Sequence, residues 1–92
     1  MTPPGSETGG LARAIALLER GAWQDAHEIV QNDKSELAAW MHGIVHTIEG
    51  DLENAQYWYR RAHRPFPGSD ALPSELAAAR RALEEPGAPS SA

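Results

Sequence analysis

Apolar residues recur every three or four positions along most of this chain, as they do on the buried face of an α-helix. No stretch alternates between apolar and polar residues with the period of two that indicates a β-strand. We therefore expect an all-α protein. The helical period appears in successive segments with these apolar positions: Leu11, Ala14, Ile15 and Leu18; Trp23, Ala26, Ile29 and Val30; Leu37, Met41, Ile44 and Ile48; Leu52, Ala55, Tyr59 and Ala62; Leu72, Leu76, Ala79 and Leu83.

Residues typical of turns and helix caps separate these segments. Gly21 and Gly50 suit the left-handed position that ends many helices. Thr8, Ser35 and Asp51 are predicted N-caps, because their side-chain oxygens can accept hydrogen bonds from free backbone N–H groups. The short links predict two antiparallel helical hairpins, and the last segment predicts a C-terminal helix that covers them.

The two ends of the chain differ from the middle. Residues 1–10 and 86–92 are rich in Gly, Pro, Ser and Thr and lack an apolar period, so both are predicted to be disordered tails. Residues 11–85 are then a single helical domain. In so short a domain, each large apolar side chain contributes substantially to the core.

Two segments share the order glycine, large apolar residue, alanine: RGAWQDA at Arg20–Ala26 and EGDLENA at Glu49–Ala55. In this respect the chain resembles the tetratricopeptide repeat (TPR) family, whose repeats are helical hairpins. The separation of the two glycine turns is shorter than that family's period of about 34 residues, which predicts a compact bundle rather than an open superhelix. The second hairpin matches the family's pattern of small and large residues at Gly43, Gly50, Leu52, Ala55, Tyr59 and Ala62.

The chain also resembles a family of small helical proteins of unassigned function. The resemblance lies in AHE at Ala26–Glu28, in two histidines four residues apart at His42 and His46, and in EGDLENAQYWYRRA at Glu49–Ala62. It implies no particular activity.

Composition and charge narrow the class of partner. The formal net charge of −5 argues against nonspecific binding to nucleic acid, and the absence of cysteine excludes disulfides and thiolate metal sites. No apolar run approaches the roughly 20 residues that a membrane span needs. The first residues do not resemble a signal peptide. We therefore expect a cytoplasmic protein without nucleic-acid or membrane partners.

Three histidines and a glutamate are candidate metal ligands. His42 and His46 are four residues apart, a spacing at which two imidazoles on successive helical turns can bind one metal ion. Glu49, one turn further on, is a possible third ligand or proton acceptor. His27 joins this stripe if the second and third helices pack side by side, which gives a zinc site with three imidazoles. His42 is followed by Gly43, so the HExxH motif of zinc proteases is absent.

The same histidines have other interpretations. His42 and His46 are structural residues if they form hydrogen bonds with neighbours such as Asn54 or Glu28. Acid–base chemistry or pH sensing is a further alternative, because imidazole titrates near neutral pH.

The run YWYRR at Tyr57–Arg61 has the aromatic and arginine composition of interaction hot spots. The predicted interaction surface consists of Asn54, Tyr57, Trp58 and Arg61. Two alternatives place Trp58 in the core beneath the fifth helix, or in a ligand pocket with Asn54 and Arg61.

Basic residues close the fourth helix at Arg60, Arg61, His63 and Arg64. Cations are favoured at a helix C-terminus by the helix dipole. Binding of an anion or an acidic peptide is the alternative interpretation.

No phosphate-binding loop and no catalytic triad is recognisable, so no catalytic residue is predicted. The predicted function is a non-catalytic protein-interaction or homo-oligomerisation module of TPR-like type. The alternative is a protein that binds a metal or small molecule, with zinc as the candidate cofactor, through the histidines of the second and third helices.

Overall fold

Residues 6–84 are described in a computed structural model of the chain, with side chains from residue 10 onward. They contain no strand, which confirms the all-α prediction. None of the helices in this range combines the length and apolar character needed to cross a membrane. The helices are α1 (Ser6–Glu19), α2 (Trp23–Val30), α3 (Glu36–Glu49), α4 (Leu52–Arg61) and α5 (Leu72–Glu84), with a short 3₁₀ turn at Ser69–Ala71 before α5.

The first helix begins earlier than predicted. α1 starts at Ser6, so residues 6–10 are helical although they were expected to belong to a tail, and Thr8 lies inside the helix rather than at its N-cap. A proline disfavours helix in the residue that precedes it, so Pro4 does not prevent a helix from starting at Ser6. Residues 1–5 and 85–92, which include the remainder of both predicted tails, lie outside the described residues.

Both ends of α3 and the start of α4 have the predicted capping chemistry. The Ser35 hydroxyl accepts a hydrogen bond from the Ala38 N–H at the start of α3, at 3.1 Å. Gly50 ends α3 with φ of +93°, a left-handed conformation that disfavours any residue with a Cβ atom. A carboxylate oxygen of Asp51 then accepts from the Asn54 N–H at 3.3 Å. α4 therefore starts at once and packs along α3.

α3 is the central helix. It packs against α2, α4 and α5, and every residue from Ala38 to Thr47 is buried. A helix that is buried all round lies inside a domain rather than on its surface. α5 packs against both α1 and α3, as expected of a covering helix.

Gly43 lets α3 and α4 approach closely. A Cβ atom at this position would lie 2.5 Å from Cδ1 of Tyr59 and 3.3 Å from the carbonyl oxygen of Ala55. Real Cβ atoms essentially never come as close as the first of these distances, so the approach of Tyr59 requires glycine. The fully buried Tyr59 ring fills the space beside it.

Leu52 was expected in the core, but 41% of its surface is exposed. It is the first residue of α4, and α3 has already ended at Glu49. α3 therefore does not extend far enough to cover this side chain.

A carboxylate on α5 links three helices. Glu75 Oε1 accepts hydrogen bonds from Trp40 Nε1 at 2.9 Å and from the Tyr59 hydroxyl at 2.6 Å. The Arg64 guanidinium lies 3.4 Å from the centre of the Trp40 ring. Burial, and secondarily the bond to Glu75, raises the pKa of the Tyr59 hydroxyl, so it remains a donor. These contacts were not predicted from the sequence.

An ion pair joins α5 to α1. Two nitrogens of Arg80 lie 2.6 and 2.8 Å from the two carboxylate oxygens of Glu19. Both side chains are partly exposed. The pair therefore contributes little to stability, since exposed pairs contribute about 1 kcal/mol or less.

Candidate metal centre

α2 and α3 pack side by side and bring three histidine rings together. The centre of the His27 ring lies 4.7 Å from that of His42 and 5.4 Å from that of His46. The His42 and His46 rings are 5.0 Å apart. One nitrogen of each ring lies within 4.8 Å of the other two. The sequence predicted that His27 joins His42 and His46 only if α2 and α3 pack side by side, and the structure has this packing.

Local sequence explains how the rings meet. His42 and His46 occupy successive turns of α3, so their side chains lie one above the other. On α2, the fully buried Ala26 permits close packing, and its neighbour His27 lies half-buried at the edge of the contact.

Aromatic stacking holds the His42 ring in place. Its plane is 22° from that of His46 and 7° from that of the Trp58 indole, whose centre is 3.8 Å away. His27 meets the same ring edge-on, at 85°. Only 5% of His42 is exposed. Trp58, which was predicted to belong to an interaction surface, therefore contacts the histidine cluster.

His42 is neutral at physiological pH. Burial, followed by the charges that His27 and His46 carry when protonated, lowers the pKa of the His42 imidazole to about 4. A metal ion binds the deprotonated form of an imidazole. His42 is thus in the form that a metal needs without releasing a proton.

Glu49 orients one of the rings. Its Oε1 atom lies 2.8 Å from Nδ1 of His46, the distance of a hydrogen bond in which the carboxylate accepts the Nδ1 proton. This bond leaves Nε2 of His46 with its lone pair free, as in the carboxylate–histidine pairs of known metal sites. Glu49 was predicted as a possible third ligand; its geometry fits a positioning residue better.

The predicted hydrogen bonds from the histidines to Asn54 or Glu28 do not form. The Asn54 amide donates to Asp51 at 2.9 Å, and Asn32 donates to the backbone carbonyl of Glu28. His46 instead bonds to Glu49, which is closer because it lies one turn away on the same helix.

Two groups of residues in the described part of the chain have ligand atoms close enough for a cation. The second contains His46, Glu49 and Asp51, also within 4.8 Å. It offers one imidazole and two carboxylates, of which Glu49 is exposed and Asp51 is half-buried. The group of three imidazoles is the better site for Zn²⁺, Cu²⁺, Ni²⁺ or Co²⁺, because nitrogen donors suit these ions.

The spacing of the nitrogens is close to that of a metal site. Three imidazoles in a tetrahedral zinc site, with Zn–N bonds of about 2.0–2.1 Å, have nitrogens about 3.3 Å apart. The separations here reach up to 4.8 Å, so a bound ion would draw the nitrogens together by up to about 1.5 Å and would turn the stacked rings of His42 and His46 until their lone pairs meet. Three protein ligands also leave the fourth position of the ion open.

Only part of the interaction surface predicted from the sequence is exposed. Asn54, Tyr57 and Arg61 are exposed, and Nη1 of Arg61 donates to the Tyr57 hydroxyl at 3.3 Å. A pocket of about 330 Å³ between the α2–α3 link and α4 includes Trp58 and Arg61. Lys34 also lines this pocket, whereas Asn54, which was predicted to line it, does not.

Comparisons of the chain with models of protein families, with curated proteins and with solved structures gave no match. Function is therefore inferred from the chemistry of these residues.

Proposed function

We propose that this protein binds a transition-metal ion of the zinc class through His27, His42 and His46. The observation that carries the proposal is the convergence of three imidazole nitrogens, from two helices, within 4.8 Å of one another. Their donor type favours zinc and its neighbours over magnesium or calcium, which prefer oxygen ligands.

Hydrogen bonding leaves two of the three imidazoles free to act as ligands. Within residues 10–84, His46 bonds to Glu49, but neither His27 nor His42 has a hydrogen-bond partner. Their lone pairs are therefore available to an ion.

The ligand nitrogens of His27 and His42 are not fully buried. Among the described residues, no side-chain nitrogen or oxygen that lacks a hydrogen-bond partner is fully buried. The unpaired nitrogens of His27 and His42 therefore keep some exposure within this part of the chain, although the His42 ring as a whole is covered.

A bound ion would link α2 to α3. Because the three ligands come from both helices, unfolding would separate them and release the ion. Binding to the folded state alone stabilises a protein in proportion to the logarithm of ligand concentration over Kd. We infer that metal loading raises the stability of this domain.

Calorimetric titration of chelator-treated protein with Zn²⁺ tests the proposal. We expect one ion per chain with a Kd near or below about 1 μM, which corresponds to about 8 kcal/mol of binding free energy. A Kd weaker than about 100 μM would contradict a site with three imidazoles.

Substitutions identify the ligands. His27→Ala and His42→Gln should each weaken zinc binding at least about tenfold, the effect expected from changes at metal-site residues. The matched control is His63→Asn, which removes the fourth histidine; this side chain is exposed and pairs with Glu36. Asparagine also tolerates the positive φ of 61° at that position. Equal loss of binding in the control would show that the cluster is not the site.

A further inference from the structure

The outward side of α4 is unoccupied by the rest of the described chain. The inner side of α4 contains Ala55 and Tyr59, which are buried against α3. On the opposite side, Glu53, Tyr57 and Arg60 follow one another at intervals of four and three residues, so they form one stripe. All three are exposed, Tyr57 by 41%. We call these three residues the α4 stripe.

The α4 stripe has opposite charges at its two ends. Glu53 lies in the first turn of α4 and Arg60 in the last, about 10 Å apart along the axis. Neither forms an ion pair within residues 10–84. The exposed Tyr57 ring lies between them. The stripe is therefore negative, aromatic and positive in order.

We propose that the α4 stripe binds the same stripe of a second copy of this chain, with the two helices antiparallel. In that arrangement Glu53 of each copy meets Arg60 of the other, and the two Tyr57 rings meet near the twofold axis. An interface of this symmetry uses one patch twice, so each favourable charge pair occurs twice. A parallel arrangement would place like charges together.

The charge of the whole chain supports this choice of surface. With a formal net charge of −5, two copies repel one another at most orientations. The end of α4 is an exception, because Arg60 and Arg61 are adjacent, exposed cations. Association through the α4 stripe brings these cations near the acidic start of the partner's helix.

The proposed contact differs from the surface predicted from the sequence. Trp58 stacks on His42, and neither Trp58 nor Asn54 falls on the outward stripe of α4, so neither is the centre of this contact. Tyr57 belongs to both surfaces, and Glu53 and Arg60 take the places of Asn54 and Trp58. The proposal does not depend on metal binding.

Association should be weak and sensitive to salt. α4 has ten residues, a length of about 15 Å, so the contact is smaller than the roughly 1,200–2,000 Å² of stable complexes. We expect a Kd on the order of 100 μM at low salt. Exposed charge pairs are screened by added salt, so the Kd should rise at high ionic strength.

Sedimentation equilibrium of chelator-treated protein, up to about 1 mM, tests the proposal at low and high salt. We expect the average mass to rise toward that of a dimer at low salt and to return to that of the monomer near 1 M salt. A monomer throughout the low-salt series would overturn the proposal.

Charge reversal tests the antiparallel pairing. Glu53→Arg and Arg60→Glu should each abolish self-association, because each creates two like-charge contacts. An equimolar mixture of the two variants should associate, and the double variant should again form a homodimer. The control Asp70→Arg reverses an exposed charge outside α4 and should leave association unchanged. Circular dichroism checks that every variant is folded.

If the double variant stays monomeric while each single variant is folded, the pairing is wrong. If Asp70→Arg abolishes association as fully as Glu53→Arg does, the effect is not specific to the α4 stripe and the proposed surface is wrong as well.

Discussion

Gly43 is the residue on which the contact between α3 and α4 depends. Replacing it with alanine places a Cβ atom 2.5 Å from the Tyr59 ring, which is fully buried and cannot move freely. Alanine also favours helix by about 1 kcal/mol, but overpacking a core costs about 1–3 kcal/mol. We expect Gly43→Ala to lower the free energy of unfolding, as measured by urea denaturation followed by circular dichroism.

The matched control is Gly10→Ala in α1. Among residues 10–84, a Cβ atom there meets only Cγ2 of Ile29, at an ordinary contact distance of 3.5 Å. Helix propensity then decides the result, and the variant should be as stable as the parent or up to about 1 kcal/mol more stable. If both substitutions change stability equally, the close approach at Gly43 is not what constrains the residue.

Part of the histidine site could be predicted at the level of single residues. The spacing of His42 and His46 is set by helical geometry, so the pair follows from the sequence. His27 could be predicted only conditionally, because its position depends on how α2 packs. The stacking of Trp58 on His42 was missed. His42 immediately precedes Gly43, and Trp58 immediately precedes Tyr59, and Gly43 and Tyr59 are in contact across α3 and α4.

At the scale of helices, Glu75 determines how α5 is attached. Its carboxylate accepts hydrogen bonds from Trp40 and Tyr59, which belong to α3 and α4. Glu75→Ala leaves both donors without a partner, which costs about 1–3 kcal/mol each, less where water replaces the carboxylate. We expect a loss of about 2–4 kcal/mol in the free energy of unfolding.

Glu84→Ala is the control on the same helix. Glu84 is exposed and pairs with Arg80 at 3.3 Å, so its removal should change stability by less than about 0.5 kcal/mol. Similar losses in the Glu75 and Glu84 variants would show that the bonds to Trp40 and Tyr59 do not anchor α5.

Helix ends were predictable where local chemistry fixes them. The structure confirms the caps at Ser35, Gly50 and Asp51. The side chains of Ser35 and Asp51 accept hydrogen bonds from backbone N–H groups three residues on, and Gly50 adopts a left-handed conformation, so each cap depends only on residues nearby in the sequence. The exposure of Leu52 and the pairing of Glu19 with Arg80 were not predictable in this way. They depend on where α3 ends and on where α5 lies.

For the whole molecule, the low pKa of His42 predicts acid sensitivity. The His42 imidazole has a pKa of about 4 in the folded protein and about 6.5 in the unfolded chain. Between these pH values the unfolded state binds more protons than the folded state, so the free energy of unfolding rises with pH. The contribution of His42 to stability is therefore lost as the pH falls from about 6.5 to 4. The loss from this group reaches about 3 kcal/mol at most.

Urea denaturation of chelator-treated protein at pH 7 and pH 4.5 measures this effect. The variant His42→Gln lacks the titrating group, so its loss of stability between the two pH values should be clearly smaller than that of the parent. The same loss in both proteins would show that other groups cause the acid sensitivity.

The central claim is that His27, His42 and His46 bind one metal ion together. Anomalous diffraction at the zinc edge, from crystals of zinc-loaded protein, tests it most directly. We predict one strong peak per chain, about 2.0–2.1 Å from one nitrogen of each of the three histidines. A zinc peak held instead by Glu49 and Asp51 or by His63, or the absence of any peak between α2 and α3, would contradict the claim.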